Sequence, residues 1–424
     1  MKIAFVAQPI DRIIPPVRGA SLSLWIYYMS AILKRRGHEI TIIGNNGHRL
    51  SPKFIDHEGI KYILTPTLVN AQINRIGHLF TRVKAYAKSP RHSGSYLSTD
   101  WYHSGFGRQA AQYISEFPFD VVHIMNFSQL VPAIRQRSPY CKIALHMHCE
   151  WLTQFPRNTI ESRLHHIDLI IGCSEYITKT VADAFPQFAN KCVTVPNAAD
   201  IVPEADIGVP SGKRVLFVGR LSPEKGLHDL VTAFHLVLEK VPEASLHLIG
   251  GVGSLPSEYL VDLSDVPFVK VLQRSYERSC PPDGRDPYLA TLEELAGAEL
   301  GRRIIFEGHV NHDEILTHYQ TASVLVNPSL SESFGISLVE AMMMKVPVVA
   351  TRIGGMSYTV VSGQTGFLVD PANTDALADA ICRVLQDPEL ARNMGLQGQK
   401  RAHQLFSWKS TSDLLLQAYG RIVD

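Results

Sequence analysis

Residues 328–341 combine two glutamates with a run of small residues in a pattern that could bind an anion and a diol. Glu332 and Glu340 lie eight positions apart, with Glu332 expected in the loop after a strand and Glu340 in the helix that follows this loop. The backbone N–H groups of residues 335–337 would then lie at a helix N-terminus, where they lack intrahelical partners and form a ready anion site. Glu340, inside the helix, could accept hydrogen bonds from a ribose diol beside that anion.

A simpler interpretation of the same segment is a helix with an acidic first turn, which the helix dipole alone would favour. For two glutamates by themselves, this simpler interpretation is the better one. The residues around them favour a binding site instead when they are considered together with two further segments of the chain, described below.

Alternating strands and helices must position these residues. In the first half, residues 3–7 form a continuous apolar run, as expected of a strand covered on both faces. A helix is predicted at residues 21–36, ended by a left-handed Gly37, and a strand is predicted at residues 40–43. This βαβ unit implies a parallel sheet. Further strands are predicted at residues 121–124, 142–148 and 168–172.

A second series of strands and helices follows residues 200–212, which have the polar, proline-containing composition of a linker. Its strands are predicted at residues 214–218, 246–249, 304–306, 324–326 and 346–350, with helices at 226–240 and near 375–385. We therefore expect an N-terminal domain at residues 1–205, a C-terminal domain at 206–405, and a C-terminal helix at 406–424 that packs back on the N-terminal domain. Ligands of such sheets bind at the carboxyl ends of the strands, which predicts a site in the cleft between the domains.

The composition narrows the kind of protein. The 424 residues include 41 basic and 40 acidic ones, a net charge of +1 that argues against a nucleic-acid footprint over the whole surface. None of the six cysteines forms a Cys-x-x-Cys pair, so neither a zinc knuckle nor a redox dithiol is indicated. No apolar run approaches the ~20 residues of a membrane-spanning helix. We expect a cytoplasmic protein, with peripheral contact at the inner face of a membrane left open.

Three segments resemble the nucleotide-sugar site of a large family of retaining GT-B glycosyltransferases, which includes bacterial mannosyl- and glucosyltransferases and sucrose synthases (the glycosyltransferase family four type). They are Glu-Ser-Phe-Gly-Ile-Ser-Leu-Val-Glu-Ala at residues 332–341, Val-Gly-Arg-Leu-Ser-Pro-Glu-Lys-Gly at 218–226, and Val-Pro-Asn-Ala-Ala-Asp at 195–200. In the last of these, Ala198 replaces the family's glycine. The likeness extends over nearly the whole chain. It implies an α/β protein of the GT-B fold, with two Rossmann-like doubly wound parallel-sheet domains facing each other across a cleft.

The resemblance also implies a role for each matching residue. Arg220 and Lys225 would neutralise the departing diphosphate, a task that metal-dependent enzymes give to a divalent ion. Glu332 would contact the sugar hydroxyls and Glu340 the ribose, and no metal or other cofactor is expected. The remaining donor contacts would come from Gly19, Gly219, Phe334, Gly335 and Ile336. The first loop carries one glycine, Gly19, where the family usually has a Gly-Gly pair.

Residues 144–150 resemble the strand whose final histidine lies under the transferred sugar. Two histidines occur there. His148 lies at the expected strand end, where catalytic groups collect, and we favour it as the catalytic histidine. His146 lies further inside the strand pattern and better suits a buried core position.

The function implied by the resemblance is transfer of a hexosyl unit from a UDP- or GDP-linked donor to a hydroxyl acceptor, with retention of the anomeric configuration. In front-face attack the leaving diphosphate accepts the proton of the acceptor, and the protein supplies placement and electrostatics. One alternative is a sugar-nucleotide epimerase or hydrolase of the same fold, which would need an acid–base pair that the sequence does not show. The other is a non-catalytic nucleotide-sugar-binding protein. The nucleotide, the sugar, the acceptor and the oligomeric state stay open.

Two segments each have two interpretations. Residues 251–303 are longer than an ordinary connection, and they are either an insertion near the cleft or a solvent-facing decoration. Residues 75–92 interleave basic and apolar side chains. We favour a solvated helix face there over an amphipathic element that rests on anionic lipid.

Overall fold

The computed structural model describes residues 1–17, 21–47, 51–66, 96–199, 212–277, 284–310 and 312–423. The chain divides into two compact units. The first comprises Met1–Asn197 and Thr411–Asp424, and the second comprises Ala198–Ser410. Three features predicted from the sequence lie outside the described residues: Gly19, the basic stretch at 75–92, and all of the linker except Gly212.

The first unit is built on an eight-stranded sheet in the order β3-β4-β2-β1-β5-β6-β7-β8. Neighbouring strands are parallel throughout, except that β3 is antiparallel to β4. The strands are β1 (Lys2–Val6), β2 (Glu39–Asn45), β3 (Lys53–His57), β4 (Ile60–Thr65), β5 (Val121–Met125), β6 (Lys142–Met147), β7 (Leu169–Gly172) and β8 (Cys192–Thr194). The five strands predicted here are confirmed, whereas β3, β4 and β8 were not predicted from the sequence.

Helices of the first unit pack their apolar stripes on this sheet. The helix predicted at residues 21–36 is confirmed, and it buries Trp25, Met29 and Leu33. It ends at Gly37, whose φ of 85° is the left-handed conformation that a glycine adopts without steric cost. The helices are α1 (Ser21–Arg35), α2 (Ser104–Glu116), α3 (Val131–Arg137), α4 (Trp151–Gln154), α5 (Arg157–Leu164) and α6 (Glu175–Ala184).

The second unit is built on a six-stranded parallel sheet in the order β11-β10-β9-β12-β13-β14. The strand order reverses between β9 and β12, and doubly wound sheets bind their ligands outside the carboxyl ends of the strands at such a point. All five predicted strands are present, and β14 is an addition. The strands are β9 (Arg214–Val218), β10 (Ser245–Ile249), β11 (Ile304–Gly308), β12 (Val324–Asn327), β13 (Val348–Thr351) and β14 (Gly366–Val369).

Helix Leu227–Lys240 shows why the second unit holds together. Its apolar stripe, which includes Leu230, Phe234 and Val237, is fully buried in the core. Each such side chain contributes about 1.5–3 kcal/mol on burial.

The helices of this half are α7 (Leu227–Lys240), α8 (Pro267–Lys270), α9 (Gln273–Tyr276), α10 (Pro287–Ala296), α11 (His312–Gln320), α12 (Ile336–Met343), α13 (Met356–Thr359), α14 (Thr374–Gln386), α15 (Pro388–Leu405) and α16 (Trp408–Val423). Helix α16 belongs to the first unit from Thr411 onward. Within the described ranges, none of the helices is both long and apolar enough to span a membrane.

Candidate functional site

Two loops meet where the strand order of the second sheet reverses. Residues 219–226 follow β9 and residues 328–335 follow β12, and these two strands are parallel neighbours. Gly226 allows the loops to approach each other. Its φ is 65°, and a Cβ at this position would lie only 2.2 Å from the carbonyl oxygen of Pro328. The sheet topology thus brings together two segments that are about a hundred residues apart in the sequence.

An ion pair joins the two loops. Lys225 Nζ lies 2.7 Å from Glu332 Oε2, and both side chains are largely buried, with 19% and 18% of their surface exposed. Burial alone would raise the pKa of Glu332, but Lys225 and the amides of Phe334 and Gly335 hold that pKa below its ordinary value. Glu332 is therefore a carboxylate at neutral pH, and Lys225 is its counter-ion.

Arg220 lies in the first of these loops with 42% of its side chain exposed. Its Nη2 donates to Glu224 Oε1 at 2.9 Å. Glu224 is almost completely buried and accepts two further hydrogen bonds, from Ser222 Oγ at 2.7 Å and from the hydroxyl of Tyr276 at 2.9 Å. Sequence reasoning had not singled out Glu224 or Tyr276. The carboxylate of Glu224 thus binds Arg220 and Ser222 of its own loop through one oxygen, and Tyr276 through the other.

Helix α12 begins directly after the second loop. Gly335, with φ 85°, precedes its first residue, Ile336. Glu340, in the second turn of this helix, accepts a hydrogen bond of 2.6 Å from the hydroxyl of Tyr319. Burial and the nearby Glu340 carboxylate raise the pKa of Tyr319, so its hydroxyl remains a donor. Phe334 is buried edge-on against Phe406, with ring centroids 5.4 Å apart, and it anchors the loop.

In the first unit, strands β5 and β6 bring three histidines together. His148 directly follows the end of β6, and its ring centroid is 4.1 Å from that of His146. His146 is fully buried, and its Nδ1 lies 3.2 Å from Nε2 of His123. His123 Nδ1 in turn lies 2.7 Å from the hydroxyl of Tyr419 in helix α16. The structure therefore places His146 in a core network and His148, half-buried, at the strand end.

The electrostatic environment of His148 suits hydrogen bonding better than proton transfer. Burial lowers its pKa to about 3, so the imidazole is neutral at pH 7 and is a weak base. Its backbone N–H donates to Asn126 Oδ1 at 2.6 Å. Within the part of the chain that the structure describes, neither ring nitrogen of His148 has a hydrogen-bond partner. The neutral ring thus has one donor and one acceptor that are buried and unsatisfied in this structure.

Two tyrosines of the long segment at residues 251–303 bind side chains elsewhere in the second unit. The hydroxyl of Tyr276 bonds Glu224, as described above, and the hydroxyl of Tyr288 lies 2.9 Å from Nδ1 of His228 at the start of α7. Of the two sequence-based interpretations of this segment, the Tyr276 contact favours an insertion beside the site.

Two family models match the chain. The model described as "Glycosyl transferases group 1" matches residues 206–401, and the model described as "Glycosyltransferase Family 4" matches residues 23–202. The first match contains the loops around Lys225 and Glu332, and the second contains His146 and His148.

Curated relatives match over different extents. Spore coat protein SA of Bacillus subtilis (strain 168) is 23% identical over 99% of this chain and 100% of that protein. The D-inositol 3-phosphate glycosyltransferase of Corynebacterium glutamicum (strain R) is 32% identical over 51% of this chain. The match spans only 45% of the length of that enzyme.

Solved structures match the whole chain. Sucrose-phosphate synthase (tll1590) from Thermosynechococcus elongatus has a TM-score of 0.67 and 21% identity, over 99% of this chain and 98% of that chain. Anabaena Alr3699/HepE, solved in complex with UDP and glucose, has a TM-score of 0.64 and 18% identity, over 99% of both chains. At these identities the likeness establishes the fold alone, and it confirms the GT-B fold predicted from the sequence.

Proposed function

We propose that this chain, which belongs to the GT-B glycosyltransferase family, is a retaining, metal-independent hexosyltransferase that uses a UDP- or GDP-linked donor and a hydroxyl acceptor. Membership of the family supports sugar transfer as its chemistry, and the finer assignments are our proposal. The observation that carries it is the ion pair between Lys225 and Glu332. It joins the loop that resembles a diphosphate-binding segment to the loop that resembles a sugar-binding one.

The proposed chemistry assigns a role to each group at the site. Arg220 and Lys225 stabilise the negative charge that develops on the leaving diphosphate, where fixed cations are most effective. Glu332, kept ionised by Lys225 and by backbone amides, accepts hydrogen bonds from the sugar hydroxyls. Gly219, Phe334, Gly335 and Ile336 contribute donor contacts through the loop backbone and the start of α12. His148 orients the transferred sugar.

Glu340→Gln is expected to weaken donor binding strongly, because a charge-assisted hydrogen bond to the ribose becomes a neutral one. The fold should tolerate the change, since an amide oxygen can still accept from Tyr319 at the observed 2.6 Å contact. Calorimetry with UDP, GDP and their glucose or mannose conjugates measures the effect. Tyr319→Phe, which removes only the partner hydroxyl, is the matched variant. Donor affinity of Glu340→Gln equal to that of the parent would remove Glu340 from the site.

The stereochemical outcome tests the proposal as a whole. Arg220, Lys225 and Glu332 all belong to the second unit, and in the proposed complex they surround the diphosphate side of the donor. This arrangement favours attack on the face from which the diphosphate leaves, so an α-linked donor should give an α-linked product. Proton NMR of the new anomeric centre, read before mutarotation, checks this result.

An inverting enzyme would instead need a base on the opposite face of the sugar. A β-linked product from an α-linked donor would overturn the proposed mechanism and direct the search for that base to His146, His148 and Glu150. His148→Ala provides an internal control. If His148 orients the sugar, this variant should lose more turnover than nucleotide affinity. Product analysis with donor alone separates transfer from hydrolysis or epimerisation.

A further inference from the structure

We propose that Tyr276 is a positioning residue for the phosphate-binding arginine, and that it acts through Glu224. The inference rests on the proposed function, in that Arg220 is taken to bind the donor diphosphate. Tyr276 ends the short helix α9, which lies in the segment 251–303. This segment would thus contribute to catalysis without touching the reacting atoms.

The hydrogen bonds around Glu224 divide between its two oxygens. Oε1 accepts from Arg220 Nη2 at 2.9 Å and from Ser222 Oγ at 2.7 Å, while Oε2 accepts from Tyr276 at 2.9 Å. The carboxylate is almost completely buried, so water cannot readily replace a missing donor. Tyr276 therefore fixes the plane of the carboxylate, and that plane fixes the direction in which Arg220 is held.

The hydroxyl of Tyr276 is suited to this task. Burial and the adjacent Glu224 carboxylate raise the pKa of Tyr276 well above its usual value, so the hydroxyl stays protonated and donates at any physiological pH. Without it, Oε2 of Glu224 would be left buried and unpaired. The carboxylate could then rotate and take both of its oxygens to Arg220, which would draw the guanidinium away from a bound phosphate.

The same segment also supports the second loop of the site. Val269 in the short helix α8 and Leu272, directly before α9, form a small buried cluster with Val261 and Leu330. Leu330 lies in the loop that carries Glu332, and its amide donates to the carbonyl oxygen of Glu224 at 2.8 Å. The backbone carbonyl of Glu224 thus binds the second loop, and its side chain binds Tyr276 of the segment.

The test is a binding experiment with Tyr276→Phe, Arg220→Ala and the double variant. The probes are UDP and GDP, each compared by calorimetry with its nucleoside, uridine or guanosine. Residues that orient ligand-binding groups, as known from metal sites, typically contribute about 10- to 100-fold. Tyr276→Phe should therefore weaken diphosphate binding by about tenfold and leave nucleoside binding unchanged. In the Arg220→Ala background it should have no further effect, because the group that it positions is absent.

Tyr288→Phe is the matched control, because it removes a buried hydroxyl from the same segment whose partner is His228 and not Glu224. If Tyr276 only stabilises the fold, both tyrosine variants will alter binding alike, or the effect of Tyr276→Phe will add in full to that of Arg220→Ala. Either result overturns the inference. If the parent protein binds neither diphosphate, the proposed function itself is overturned. If the parent binds one of them and the Tyr276→Phe variant binds it equally well, only the inference is overturned.

Discussion

Replacing Arg220 or Lys225 by alanine should lower kcat by about 100-fold in each case, the scale expected when one preorganised stabiliser of a developing charge is lost. In the proposed reaction the diphosphate departs with its full negative charge, and these two cations are the groups that offset it. Both residues lie in the loop after β9, and Arg220 is exposed enough to reach a ligand. Initial rates with a saturating donor measure the effect, and turnover should survive EDTA.

Lys225→Ala has a second consequence, which depends on pH. In the parent, the lowered pKa of Glu332 contributes stability that is present above the ordinary value of 4.5 and is lost as the pH falls through the lowered folded-state value. In the variant the counter-ion is absent and only the amides of Phe334 and Gly335 oppose the effect of burial on the pKa of Glu332, so the stability that the ionised carboxylate contributes at higher pH is reduced. The difference in unfolding free energy between parent and variant should therefore be smallest near pH 4 and increase toward pH 8. Urea unfolding curves measured across that pH range check this result.

Lys240→Ala is the control for both effects. Lys240 lies in the same unit, and its ion pair with Asp379, at 2.6 Å, is exposed on both sides, with 50% and 62% of the side chains accessible. Such surface pairs contribute little, so neither kcat nor the pH dependence of stability should change. Equal losses in Lys240→Ala and Lys225→Ala would mean that general charge, and not the position of Lys225, is responsible. Activity that disappears in EDTA and returns with manganese would contradict metal independence.

The strands that flank the site were predictable because they are buried on both faces. Residues 215–218 and 324–326 are continuous apolar runs, and such runs indicate a central parallel strand. The edge of the first sheet was not predictable in this way. Strand Lys53–His57 is mostly exposed and mixes charged with apolar residues, so it carries no such run. Its place depends on antiparallel pairing with the next strand, Ile60–Thr65.

The residues of the site also differ in whether a local sequence pattern identifies them. Lys225 and Glu332 could be identified because each lies in a recognisable local segment, although their contact at 2.7 Å required the topology of the sheet. Tyr276 could not be identified, since its contact with Glu224 joins residues 52 positions apart across an irregular segment. His123 gave one weak signal, as a polar residue inside an apolar strand. Its partner Tyr419 lies 296 positions further along the chain, and no local pattern indicates that pairing.

Gly355→Ala is expected to destabilise the second unit strongly. A Cβ at Gly355 would lie 1.8 Å from the carbonyl oxygen of Ser333 and 2.7 Å from the amide nitrogen of Phe334. Both are backbone atoms, so no side-chain rotation relieves the overlap. We expect a loss of about 3 kcal/mol in the free energy of unfolding, at the upper end for overpacking, as measured by urea denaturation.

The folded fraction of Gly355→Ala should also have a lower turnover, because the displaced backbone carries Glu332. The amide of Gly355 donates to the carbonyl oxygen of Glu332 at 3.0 Å, and a displacement of about 1 Å at such a position can reduce turnover by about 100-fold. Gly253→Ala is the matched control, since a Cβ there meets nothing within 4 Å. It should leave both stability and rate close to those of the parent. A Gly355→Ala protein with the stability and donor affinity of the parent would show that the loop carrying Glu332 is not held by this close contact, and that the proposed site does not depend on it.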